Sequence, residues 1–219
     1  MNPLYLVPPL VITVFFLIRA ELKKDLPRIY IWKPVSTLLV IAAALLAWPF
    51  GGIPAYFYLC IIIGLILSLG GDICLMFYGN EKAFMIGLVL FLLAQISYAA
   101  VFTIFGLFRY IDFISAAILV LIGILSYRKM VPGLGDMKLP VLFYLVIISF
   151  MVNRAVALIG YEGISKPAAL FLSIGASLFF LSDWILSYDK FVKQNIKSRI
   201  SVAAYYGGQF LIALSLSFL

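Results

Sequence analysis

Eight apolar runs, separated by short breaks, follow one another along the chain and leave little choice of fold. They lie near residues 4–18, 35–48, 55–77, 84–105, 113–127, 139–159, 168–188 and 200–218. A helix needs about 20 apolar residues to cross the ~30 Å hydrocarbon core of a bilayer, and most of these runs approach that length. In lipid the backbone has to satisfy its own hydrogen bonds, which a helix does internally. The breaks carry helix-stopping residues, as in Pro49-Phe50-Gly51-Gly52, Tyr78-Gly79-Asn80 and Pro132-Gly133-Leu134-Gly135-Asp136. Composition agrees: 65% of the residues are hydrophobic and 11% charged, against roughly 45–50% and 25% in soluble domains. A soluble fold of 219 residues could not hide that much apolar surface. The expected fold is an all-α membrane bundle of about eight transmembrane helices, one domain over residues 1–219, with no soluble domain.

The charges orient the bundle. Arg19, Lys23, Lys24, Arg28 and Lys33 follow the first run, Lys82 the third, Arg128, Lys129 and Lys138 the fifth, and Lys190, Lys193, Lys197 and Arg199 the seventh. The other side receives only Arg109 and Lys166, and Arg154 lies inside a run. Lys and Arg collect in short cytoplasmic loops, so both termini are expected on the non-cytoplasmic side. Met1-Asn2-Pro3 brings no side-chain charge ahead of the first run, which argues for an uncleaved helix over a secretory signal. The net charge of +7 then reflects this bias and attraction to anionic head groups, with no nucleic-acid partner expected.

There is no histidine, which excludes imidazole-based zinc sites and Ser-His-Asp or Cys-His nucleophiles. Cys60 and Cys74 are 14 residues apart in one run, roughly 21 Å along a helix at about 1.5 Å per residue, so they cannot form a disulfide. They read as small buried hydrophobes. No metal or other cofactor is expected, and any chemistry has to run on carboxylates, amides, hydroxyls and tyrosines.

Two carboxylates stand out because a charge at the centre of a membrane helix costs about 2.5–3.5 kcal/mol on insertion. Asp72 comes late in the third run and Asp183 late in the seventh. Both runs cross in the same direction, which sets each carboxylate about five residues, roughly 7 Å, from the cytoplasmic end. Such residues mark function or a buried pair. The plainer reading is that each is separately paired for structure. If they act together, their carboxyl groups should line one cavity within roughly 4–9 Å of each other. Gly64, Ser68 and Asp72, like Ser173 and Ser177, recur every four residues, a spacing that lets helices approach closely.

A weak 4+4 internal repeat accompanies them. Gly64 and Gly175 each precede an Asp by eight residues, Leu75 and Leu186 each follow at +3, and Gln95 and Gln209 stand 23 and 26 residues beyond. Sites in duplicated membrane proteins lie at the repeat interface. Lys33, Ser68, Gln95, Tyr98, Tyr144, Asn153, Tyr206 and Gln209 are the candidate substrate-contacting or supporting residues. Lys33, just before Pro34, is expected to begin the second helix at the surface and snorkel. Arg154 is expected in the outer half, too far to pair with either Asp.

Lys33-Pro34, Leu67-Ser68-x-x-Gly71-Asp72, Gly175-Ala176-Ser177-Leu178-Phe179-x-x-Ser182-Asp183 and Tyr206-x-x-Gln209-x-Leu211-Ile212 together resemble the YhhN-like family, which includes the lysoplasmalogenases. The resemblance spans nearly the whole chain in the same order. Family members commonly carry His where this chain has Gln95 and Gln209. The resemblance implies hydrolysis of the vinyl ether bond of lysoplasmalogens, giving a fatty aldehyde and a glycerophospho-base, with a lysophospholipid as substrate and the bilayer as partner. Two carboxylates suit that reaction, one protonating carbon and the other activating water, as in glycosidases that pass through a related cation. Lys33 with loop residues would then hold the phosphate at the cytoplasmic interface. A catalytically inactive lipid-binding member and a proton-coupled small-molecule transporter are the alternatives. Gly70-Gly71-Asp72 also suggests an intramembrane aspartyl protease, but those carry their two Asp on adjacent helices beside a Pro-containing motif, and both features are missing.

Overall fold

A computed structural model describes residues 2–47, 54–106, 108–192 and 198–219. Among them the chain forms eight helices long and apolar enough to cross a membrane. These are α1 (Val7–Lys23), α2 (Leu26–Leu46), α3 (Ala55–Leu75), α4 (Glu81–Phe105), α5 (Tyr110–Met130), α6 (Lys138–Ala157), α7 (Lys166–Phe191) and α8 (Ser198–Ser215). No strand occurs among the described residues. The expected turn at residues 49–52, and Lys193 and Lys197, lie outside them.

The second helix corrects the sequence expectation. It begins at Leu26, not near residue 35, because Asp25 caps it: its Oδ1 accepts from the Arg28 backbone N–H at 3.3 Å. Pro27 fits the first turn, where its missing N–H costs nothing. Pro34 lies inside the helix, and the hydroxyls of Ser36 and Thr37 bond the carbonyls of Trp32 (2.8 Å) and Lys33 (3.2 Å) beside it. Arg28 and Lys33 had masked this stretch by lowering its hydropathy. The link from α1 is two residues long, with Lys24 taking the left-handed turn at φ 54°.

Short links make successive helices antiparallel, so Arg19, Lys23, Arg28, Lys82, Arg128, Lys129, Lys138, Lys190 and Arg199 gather at one end, the basic end. Near the opposite end the fully buried Arg154 donates to the Gly106 carbonyl (2.6 Å), pairs with Asp112 (3.5 Å) and lies over the Phe108 ring. Asp112 in turn caps α5 by accepting from the Arg109 backbone N–H at 2.8 Å.

The closest helix pairs are α3 on α4 and α7 on α8, equivalent places in the two halves of the expected repeat. The α7–α8 crossing depends on glycine. A Cβ on Gly175 would lie 2.8 Å from the Gly208 carbonyl oxygen, and one on Gly208 would lie 2.7 Å from that of Gly175. Backbone cannot yield as a side chain does. Gly175→Ala and Gly208→Ala are therefore expected to lower stability in thermal melts of detergent-solubilised protein by about 1–3 kcal/mol. Gly123→Ala, whose Cβ would meet nothing closer than 3.6 Å, should not, since alanine is the better helix former.

Candidate functional site

Asp72, on α3, is 2% exposed and saturated with partners. Its Oδ2 accepts from the hydroxyls of Thr37 (2.6 Å) and Tyr205 (2.8 Å), and Lys33 Nζ stands 3.9 Å from its Oδ1. Lys33 and Thr37 are one turn apart on α2, so both reach the same carboxylate. Lys33 does not snorkel. Starting α2 at Leu26 sets it seven residues inside the helix, roughly 10 Å at about 1.5 Å per residue, with its side chain turned inward and 13% exposed. Tyr206 steadies the same corner, donating to the Lys33 carbonyl at 3.0 Å and lying 3.4 Å from the Thr37 hydroxyl. Glu21, near the basic end of α1, is close enough for its charge to act on both Lys33 and Asp72.

One turn further from the basic end, Gln209 Nε2 donates to Ser68 Oγ at 2.9 Å, and the Tyr98 hydroxyl donates to Gln209 Oε1 at 3.0 Å. Gly64 makes room for the tyrosine: a Cβ there would lie 2.2 Å from its ring.

Asp183, on α7, has different company. Its Oδ2 accepts from the Tyr144 hydroxyl and from Gln95 Nε2 (3.2 Å), and that same amide nitrogen is 2.6 Å from the Tyr144 oxygen. Asp183 is half-buried, and among the described residues no cation pairs with it. Gln95 Oε1 is buried with no hydrogen-bond partner among the described residues.

Three rings join the clusters. Phe91, one turn before Gln95 on α4, Phe179, one turn before Asp183 on α7, and Tyr205 pack pairwise with centroids 5.6–6.1 Å apart. Tyr205, which donates to Asp72, thus packs against rings carried one turn before Gln95 and one turn before Asp183. The pairing is crossed between halves. Gln95, from the helix after Asp72, serves Asp183; Tyr205, from the helix after Asp183, serves Asp72.

Of the residues named from sequence, Lys33, Tyr206, Ser68, Tyr98 and Gln209 gather around or beside Asp72, while Gln95 and Tyr144 gather at Asp183. Asn153 is the exception. It lies nine residues beyond Tyr144 on α6, about 13 Å along the axis. There its Nδ2 bonds the Asp112 carbonyl (2.8 Å) and Ser115 Oγ (2.7 Å), pinning α5 to α6. Thr37, Tyr205 and Glu21 were missed. Thr37 could have been found as the residue one turn after Lys33. Among the described residues no three of Cys, Asp and Glu gather as a metal-binding group.

The model of the YhhN family matches residues 29–216 of the chain. No curated protein matches it, and no solved structure does.

Proposed function

Because the chain belongs to the YhhN family, we propose that it is a membrane hydrolase that cleaves the vinyl ether bond of lysoplasmalogens, with Asp183 as acid and Asp72 as base. The observation that supports this is the unequal setting of two membrane-buried carboxylates. Asp72 faces an ammonium and two hydroxyl donors, surroundings that suit the ionised form. Asp183 has no cation beside it among the described residues, and both hydrogen bonds it receives fall on Oδ2. Its Oδ1 is the oxygen left to carry a proton.

The reaction then balances with water alone. Asp183 gives its proton to the outer alkene carbon, and the electron pair of the double bond forms the new C–H bond. The inner carbon becomes an oxocarbenium ion. Asp72 takes a proton from water as the water oxygen bonds that carbon, giving a hemiacetal. On collapse the ether C–O bond breaks, the leaving glycerol oxygen takes the proton from Asp72, and the hemiacetal hydroxyl returns one to Asp183. Aldehyde and glycerophospho-base result, and both carboxyl groups are restored.

Purified protein should release aldehyde from a 1-alkenyl lysophospholipid and none from its saturated 1-alkyl counterpart, which offers no carbon to protonate. In deuterated water the aldehyde should carry one deuterium on the carbon next to the carbonyl. Aldehyde without that label would rule out carbon protonation. Binding of both lipids with no release would mark an inactive lipid-binding protein, and solute flux in liposomes without release a transporter. Tyr144→Phe, which removes a donor from Asp183, is expected to lower kcat about tenfold or more, as a hydrogen bond to the carboxylate charge that develops while Asp183 gives up its proton is worth ~1.5–3 kcal/mol. The basic end faces the cytoplasm in this reading, so a C-terminal reporter that works only in the cytoplasm should stay silent.

A further inference from the structure

At the basic end α1 and α2 form an open groove, a second candidate site away from both carboxylates. A cavity of about 380 Å³ is lined by Phe16, Arg19, Ala20, Lys23, Arg28 and Trp32. The four residues from α1 fall at i, i+3, i+4 and i+7, a single helix face, and the two from α2 at i and i+4 opposite them. Its wall is aromatic: Phe16 and Trp32 stack with centroids 5.2 Å apart, and Arg19 lies over the Phe15 ring at 5.5 Å. Its rim is cationic. Asp25 engages Arg28, Nε to Oδ2 at 3.3 Å, which leaves the three basic side chains in excess by two charges.

We propose that this cavity holds the phosphate of an anionic phospholipid. The three cations supply the charge and the bidentate donors that a phosphate takes. Basic pockets between membrane helices at this depth bind anionic head groups. What selects a lipid over a free anion is the surface leading away from it. Val11, Ile12 and Phe15 are 60%, 54% and 53% exposed along α1, so an acyl chain has an apolar track that starts at the cationic rim. Trp32 lines the cavity, while the next residue, Lys33, turns to Asp72. A lipid bound there would brace the α1–α2 pair on the far side of that ion pair, without entering the reaction.

Tryptophan fluorescence can test this in wild-type protein reconstituted in phosphatidylcholine bilayers. Brominated-chain phosphatidylglycerol and brominated-chain phosphatidylcholine are compared as quenchers, and the Trp32→Phe variant identifies the part that reports the cavity. The anionic lipid is expected to be preferred about fivefold or more at Trp32, as a single nearby cation already contributes about that factor. The preference should vanish in Arg19→Gln/Lys23→Gln, which keeps Lys24, Arg28 and Lys33 to hold orientation, and survive in Arg19→Lys/Lys23→Arg. Equal quenching by the two lipids in the wild type would overturn the proposal even if the double variant failed to fold. So would a preference that persists in Trp32→Phe or in the folded Gln double variant. Inorganic phosphate that abolishes the preference, where chloride at equal ionic strength does not, would mean a free-anion site and would also overturn it.

Discussion

Asp183→Asn is expected to abolish aldehyde release and leave the fold intact. The rate should fall by about 10²–10⁴-fold, the contribution of a positioned general acid. Asparagine keeps the outline of aspartate and can keep an oxygen where Oδ2 accepts from Tyr144 and Gln95. Its amide nitrogen then takes the place of Oδ1, the oxygen proposed to carry the proton, and cannot donate that proton to carbon. No ion pair is broken among the described residues, since none involves Asp183, so the thermal midpoint in detergent should stay close to that of the wild type. Aldehyde release near the normal rate would sink the assignment of Asp183 as the acid, whatever the family.

How far the sequence carried this reading follows from the physics of each feature. Apolar run length reports the solvent directly, which is why the eight helices and both buried carboxylates were legible without a structure. Helix α2 was legible only in its second half, because hydropathy cannot tell a basic residue in a loop from Lys33, whose ammonium faces a carboxylate on another helix. The spacing at Gly64 was read as packing, and there Tyr98 does press against it; Gly175, read only as part of the repeat, is where α8 approaches at Gly208. The partners of each Asp were another matter. Which glutamine meets which carboxylate depends on helix order around the bundle, a long-range property with no local signal. The repeat put Gln95 on the helix after Asp72 without saying which carboxylate it meets, and the fold delivers it to Asp183. Asn153 misled for a related reason: it shares α6 with Tyr144 but sits too far along it to reach the same site.

Asp72→Asn should behave differently from its counterpart, and the difference separates chemistry from structure. Both oxygens of Asp72 are engaged, one facing Lys33 and the other accepting from Thr37 and Tyr205. An amide nitrogen must therefore face either an ammonium or two hydroxyls that donate. The ammonium of Lys33, 13% exposed, is left with no carboxylate at that position. Breaking one side of a buried pair in this way costs about 3–5 kcal/mol, so Asp72→Asn is expected to melt well below the wild type as well as lose activity. Lys33→Met/Asp72→Asn removes the stranded charge and should recover much of that stability. It should recover none of the aldehyde release, because no base returns with the methionine. Activity restored in the double variant would mean that Asp72 serves only to neutralise Lys33, and the two-carboxylate mechanism would fall. Stability recovered without activity is the outcome that keeps Asp72 in the reaction and explains why a lysine stands beside it.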